Sequence, residues 1–196
     1  MKFLKFYHLL TGLSIIFLLS SCGGDDVPPI ENEEEIITDV ILTFQSTNGG
    51  TPILATAQDP DGQGPQSIDV GPAITLQSDT EYSMTITLTN AIAEEDITEE
   101  VKEEADEHMF FFGWTEDLFS DPAGDGNIDN RSDGLNYNDE DGNGHPLGLS
   151  TTWTTGAASE GIFRVVLKHQ PISKSATSTV LDGETDVDLT WEVVVE

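Results

Sequence analysis

From Thr38 to the C-terminus, apolar side chains recur at every second position, and that period dictates a sheet. Val40, Leu42 and Phe44 alternate with Ile41 and Thr43, while Tyr82, Met84, Ile86 and Leu88 alternate with Ser83, Thr85, Thr87 and Thr89. Phe163, Val165 and Leu167 alternate with Arg164 and Lys168; Val187, Leu189, Trp191, Val193 and Val195 alternate with Asp188, Thr190 and Glu192. Successive side chains of a strand point to opposite faces, so each run predicts a half-buried antiparallel strand. Shorter candidates are Ile53–Ala57, Ile74–Leu76, Met109–Thr115 and Thr151–Thr155. Roughly eight strands separated by Gly, Pro, Asp and Asn loops predict a mainly β protein, an antiparallel β-sandwich of Ig-like or jelly-roll-like form. One segment breaks the pattern. Ile97–His108 lacks Gly and Pro, with Thr98 as N-cap, Glu99 and Glu100 in the first turn, and Ile97, Val101 and Ala105 on one face. It predicts the single short helix.

The chain's one cysteine, Cys22, closes the segment Leu19-Ser20-Ser21-Cys22. Lys2 and Lys5 precede a short apolar stretch from Leu9 to Leu19, the order of an export signal. That stretch is too short for a comfortable span, which needs roughly 20 residues. A leucine three places before a cysteine, with small residues between, resembles the lipobox of bacterial lipoproteins. The resemblance implies cleavage before Cys22, acylation of its sulfur and amino terminus, and membrane attachment through that anchor. With Cys22 acylated no thiol remains, so disulfides cannot hold the loops.

The expected organisation is a signal peptide at 1–21, an acylated cysteine and acidic tether at 22–37, and a sandwich domain at 38–196. Gly, Pro and acid dominate the tether, which has little to bury. Asp25 and Asp26 resemble the acidic surface-export signal of Bacteroidota lipoproteins, so the outer membrane is the expected location, at the cell surface or on the periplasmic face. Beyond the signal, five basic residues face 37 acidic ones, a net charge of about −32. Such a field opposes nucleic acid and anionic head groups, so neither is an expected partner.

Two loops could collect oxygen ligands for calcium: Asp59-Pro60-Asp61-Gly62-Gln63-Gly64 and Asp139-Glu140-Asp141-Gly142-Asn143-Gly144. Each resembles the first half of an EF-hand loop, with Asp59 and Asp61, or Asp139, Asp141 and Asn143, as ligands. The glutamate of the twelfth position is replaced by Val70 and Ser150. The same residue types also make ordinary turns. Asp125, Asn127 and Asp129 form a third candidate within Asp121–Asp133.

Histidine supplies a different chemistry. Beyond the signal only His108, His145 and His169 remain. Glu104 and His108 stand one helical turn apart, so they share a face, and His169 ends a strand that could join them. Two imidazoles and a carboxylate suit zinc or another transition metal. The competing expectations are a helix-terminal histidine favoured by the dipole and a strand-end histidine bonding a loop.

Catalytic motifs are missing: there is no Gly-x-Ser-x-Gly, His-Glu-x-x-His or phosphate-binding glycine loop. Trp114, Trp153 and Trp191 read as core or rim residues rather than a ligand platform. The segments Glu104-Ala105-Asp106-Glu107-His108-Met109-Phe110-Phe111, Gly148-Leu149-Ser150-Thr151-Thr152-Trp153-Thr154-Thr155-Gly156, Leu167-Lys168-His169-Gln170-Pro171 and Gly183-Glu184-Thr185-Asp186 resemble a family of small Bacteroidota lipoproteins. Some of its members carry the label type 1 periplasmic binding fold, an architecture that requires alternating βα units and a longer chain. The resemblance implies a location and places Glu104, His108 and His169 in shared segments. Together these features predict a non-enzymatic outer-membrane lipoprotein that binds a metal ion or small ligand, accessory to an uptake system with an outer-membrane transporter as partner. A calcium-stabilised structural or adhesive surface protein and a carboxylate-dependent hydrolase remain as alternatives.

Overall fold

The computed structural model describes residues 35–62 and 68–196; the export signal, Cys22 and most of the tether lie outside the described residues. The chain forms β1 (Asp39–Ser46), β2 (Ile53–Gln58), β3 (Asp69–Val70), β4 (Ile74–Leu76) and β5 (Glu81–Thr89). Then follow α1 (Ile97–Glu103), β6 (His108–Trp114), β7 (Phe119–Asp121), β8 (Ser150–Thr155), β9 (Ser159–His169) and β10 (Glu184–Val195). Six strands make one sheet in the order β3-β2-β1-β5-β8-β7, and four make the other in the order β4-β10-β9-β6. Every pairing is antiparallel except that of β4 with β10. Among the described residues this is the expected mainly β sandwich with one short helix.

The alternating residues fill the space between the sheets. Val40, Leu42 and Phe44 of β1 and Tyr82, Met84, Ile86 and Leu88 of β5 meet Phe163, Val165 and Leu167 of β9 and Trp191 of β10. At one end Trp153 stands edge-on to Trp114, Phe112 and Phe163, with centroids 5.1, 5.5 and 5.1 Å away. Edge-to-face packing suits the ring quadrupoles and adds to the burial of large apolar area. All three tryptophans are core residues.

Alternation fails on β6, where His108 through Phe112 are all buried, and at the end of β9, where Val166 and Lys168 are buried too. The outer face of the four-stranded sheet is covered here: Met109, Phe111 and Val166 pack beneath Ile128, Tyr137 and Val180 of two long loops. The expected wet face of Lys168 is therefore dry, and its ammonium donates to Thr185 Oγ1 at 2.7 Å.

The helix is shorter than its composition suggests. It ends at Glu103, with Glu104 as C-cap, and its N-cap is Asp96, whose carboxylate accepts from the Thr98 amide at 3.0 Å. Thr98 is engaged elsewhere: its hydroxyl bridges the Leu88 amide and carbonyl, tying α1 to β5. Glu103, Glu104, Asp106 and Glu107 crowd the end where the helix dipole is negative, which opposes another turn. His108 consequently starts β6 rather than ending α1. The domain also begins earlier than expected. Ile37 is buried in the core and Glu35 has a nearly buried side chain, so residues 35–37 belong to the fold and not to the tether. Among the described residues no helix is long and apolar enough to cross a membrane.

Buried polar groups hold the covering loops in place. Asn127 pairs with Phe112 through both its amide and its side-chain oxygen, and donates to Tyr137 Oη, which in turn donates to the Phe110 carbonyl. This satisfies the exposed edge of β6. The preceding Gly126 has φ +105°, and a side chain there would strike the Phe112 carbonyl. Lys174, whose side chain is 1% exposed, reaches across to Asp141 at 3.2 Å and to the Ala105 carbonyl at 2.5 Å. One ammonium thus joins the loop after β9, the Asp-rich loop and the end of α1. Removing one partner of a buried pair leaves an uncompensated charge, which costs roughly 3–5 kcal/mol. Lys174→Ala is expected to destabilise the domain by about that amount, measured by urea unfolding; a loss under about 1 kcal/mol would match a surface pair instead.

Candidate metal centre at one end of the sandwich

His108 and His169 sit directly opposite each other in the β6–β9 ladder. Their rings stack with centroids 4.4 Å apart and planes within 9°. Residue pairs of this kind are held by backbone bonds, so the two imidazoles are positioned before any ligand arrives. Beside them, β10 slips register between Thr185 and Val187, and the extra residue is Asp186. A bulge re-aims a side chain, and this one turns the Asp186 carboxylate to within 3.9 Å of His108 Nε2. Gly183, just before β10, has φ +74° and passes so close to the His169 carbonyl that a side chain would collide with it.

Two more elements complete the cluster. The turn Glu104–Glu107 between α1 and β6 docks on the end of β9 through the Gln170 amide, which donates to the Glu107 carbonyl. From the other side comes Glu35, whose Oε1 lies 3.1 Å from His108 Nε2 and whose Oε2 lies 4.0 Å from His169 Nδ1. Glu35, Glu104, His108 and His169 each bring one ligand atom within 4.8 Å of the others.

The proton positions follow from the partners. His108 Nδ1 is 3.2 Å from the Glu104 carbonyl, which can only accept, so Nδ1 carries hydrogen. His169 Nε2 is 3.2 Å from the Glu107 carboxylate, so Nε2 carries hydrogen there. In the neutral ring this leaves a lone pair on His108 Nε2, which faces Glu35 together with His169 Nδ1. An outer hydrogen bond that fixes the tautomer of each histidine is the arrangement found around bound metals.

The inner atoms are short of partners. His108 Nε2, Glu35 Oε2 and Asp186 Oδ2 are buried, and among the described residues none has an aligned hydrogen bond. A lone-pair nitrogen 3.1 Å from a carboxylate oxygen is repulsive unless a proton or a cation stands between. The titration behaviour reflects that demand. Burial, reinforced by the Glu35 charge, pushes the Asp186 carboxyl up to about 7 despite the pull of both histidines. Burial alone would lower His108, but the adjoining Glu35 carboxylate, the Glu104 carbonyl and Asp186 hold it above its ordinary value. Burial would likewise raise Glu35, but the contact with His108 keeps it below the usual range.

The Asp-rich loops are organised differently. Asp139 accepts from the Gly148 and Ser150 amides at 2.7 and 3.0 Å. Asp141 accepts from the Asn143 and His145 amides with one oxygen and meets Lys174 with the other. The His145 carbonyl accepts from the Asp141 amide. Asp139 and Asp141 therefore serve the loop's own backbone, with the Lys174 ammonium beside Asp141, while Asn143 is exposed. Asp59 accepts from the Asp61 amide at 3.2 Å, an Asx turn, and Gln63 and Gly64 lie outside the described residues. Asp125, Asp129 and Asp133 do approach one another, but at the surface, while Asn127 is turned inward to β6.

Glu104, His108 and His169 thus converge as their residue types suggest, though on a turn and two strands rather than on a helix face. Glu35 and Asp186 were not foreseen. Glu35 reads as one more acid of a tether, and nothing in a period-two strand marks Asp186 as the bulged residue.

In the metal-free domain, folded Asp186 keeps its proton up to about pH 7, whereas the unfolded chain releases it near 3.8. The folded state then binds the extra proton across that window, so stability falls as pH rises through it. Raised His108 contributes with the same sign above 6.5. In chelator, the wild-type melting temperature should drop between pH 5 and pH 8, and Asp186→Asn should drop less; parallel curves would show that Asp186 ionises in the ordinary range. Comparison with family models, with curated proteins and with solved structures finds no match to this chain, and the site is read from its own geometry.

Proposed function

We propose that this protein is an outer-membrane lipoprotein, anchored through Cys22, whose sandwich domain binds a divalent transition metal. The ligands are Glu35, His108 and His169, with Glu104 and Asp186 completing the shell. One observation carries the reading: two stacked imidazoles, His108 with its tautomer fixed by the Glu104 carbonyl, face a buried carboxylate, and among the described residues His108 Nε2, Glu35 Oε2 and Asp186 Oδ2 lack hydrogen-bond partners. A cation supplies the missing charge, and the nitrogen donors favour zinc or a neighbouring first-row ion over calcium, which prefers oxygen alone. The anchor and the metal-capable cluster together suit an accessory role in uptake beside an outer-membrane transporter.

Zinc titration of the wild type at pH 7.5 should give one tight site. His108→Ala and His169→Ala should each weaken it by at least about 100-fold, beyond the roughly 10–100-fold of losing an outer partner. Binding should also weaken at pH 5.5, because protons compete for the imidazole nitrogens. Asp139→Ala with Asp141→Ala should leave zinc affinity unchanged, which separates this site from the Asp-rich loop. Equal zinc binding by the wild type and both histidine variants would end the proposal.

The anchor is tested separately. Cys22→Ala should release the protein from membranes, since acyl chains contribute about 0.8 kcal/mol per buried CH₂ and the acidic domain adds no attraction. Retention in a washed membrane fraction would refute lipid anchoring at Cys22.

A further inference from the structure

We propose, on the metal reading above, that the ion clasps the entry of the chain into the domain and that Glu35 is its detachable ligand. The other donors sit on rigid supports: His108 and His169 in a paired ladder, Asp186 in a strand bulge, Glu104 at a helix cap. Among the described residues Glu35 has no such support. Among the described residues the first amide to bond across to the sheet is Thr38, which donates to the Thr89 carbonyl at 2.9 Å. Ahead of it, Ile36 is 37% exposed and only the Ile37 side chain is buried in the core.

The Glu35 side chain is nonetheless 4% exposed, and it closes the cluster over two histidines that are themselves buried. Without a cation this placement sets a carboxylate beside a second buried carboxylate, Asp186, and brings inside an oxygen that has no hydrogen-bond partner among the described residues. With a cation the same contact becomes a metal bond. Glu35 is therefore both the ligand that depends most on the ion and the wall through which the ion leaves. Because it lies thirteen residues after Cys22, the ion also fixes where the chain toward the anchor leaves the domain. Releasing residues 35–37 would lengthen that connection by about 10 Å at full extension.

Amide hydrogen exchange of residues 36–38, followed on the full chain in detergent with and without zinc, tests the clasp. If opening requires loss of the ion, zinc at a hundredfold above its Kd slows exchange there by about a hundredfold. Glu192→Gln, an exposed site on β10 outside the cluster, keeps that slowing, whereas Glu35→Gln, still binding zinc through the histidines, loses it. Zinc binding by the wild type without slower exchange at 36–38, or equal slowing in Glu35→Gln, overturns the clasp and leaves the metal site standing. If calorimetry shows no zinc uptake by the wild type, the metal site fails and the clasp with it. Should Glu35→Gln lose zinc altogether, the wild-type comparison alone decides.

Discussion

The antiparallel pairing of β6 with β9 carries both the core and the candidate site. Its register runs from His108 opposite His169 to Trp114 opposite Phe163. The aromatic end of this ladder buries Phe112, Phe163 and Trp114 against Trp153, and the histidine end leaves the hydrophobic layer and meets carboxylates. Because the rings are aligned by backbone bonds anchored in a close-packed core, the site inherits the rigidity of the sheet. Ligands set on strands are held more accurately than ligands set on loops.

A chain with one cysteine, placed outside the domain, needs other means to fix loops as long as 122–149 and 170–183. Here the means are buried polar groups used one at a time. Asn127 supplies a strand-like pairing to the edge of β6, Tyr137 ties that pairing to Phe110, and Lys174 ties Asp141 to the helix end. Burial lowers the proton affinity of Lys174, but Asp141 stands against it and is itself held below the usual carboxylate range. A protein with such an excess of acid can place calcium beside its aspartates, or place one of its few cationic side chains there. In the Asp139–Gly144 loop Lys174 stands beside Asp141.

The two ends of the acidic character therefore have separate roles. In the Asp-rich loop both oxygens of Asp139 and one of Asp141 accept backbone amides, and the other oxygen of Asp141 lies 3.2 Å from the Lys174 ammonium, which makes them turn-formers. At the histidine cluster the Glu35 and Asp186 carboxylates are buried, and among the described residues Glu35 Oε2 and Asp186 Oδ2 have no hydrogen-bond donor, which favours a proton or a cation beside them. Residue type alone does not separate these cases, since aspartate is the common element of both. Position relative to backbone donors does.

Local alternation determined the architecture of this protein: a period of two assigns faces to each strand independently, so the core positions of β1, β5, β9 and β10 follow from residues two apart. Residue type likewise made Glu104, His108 and His169 a candidate set. The tertiary structure decided the rest, because the remaining facts are relations between distant segments. Whether Lys168 faces water depends on loops that fold over β9. The end of α1 was settled by competition between its acidic last turn and the ladder that claims His108. Glu35 and Asp186 enter the site from opposite ends of the chain, one ahead of the first strand and one in a bulge of the last, and only the register of the assembled sheet brings them together.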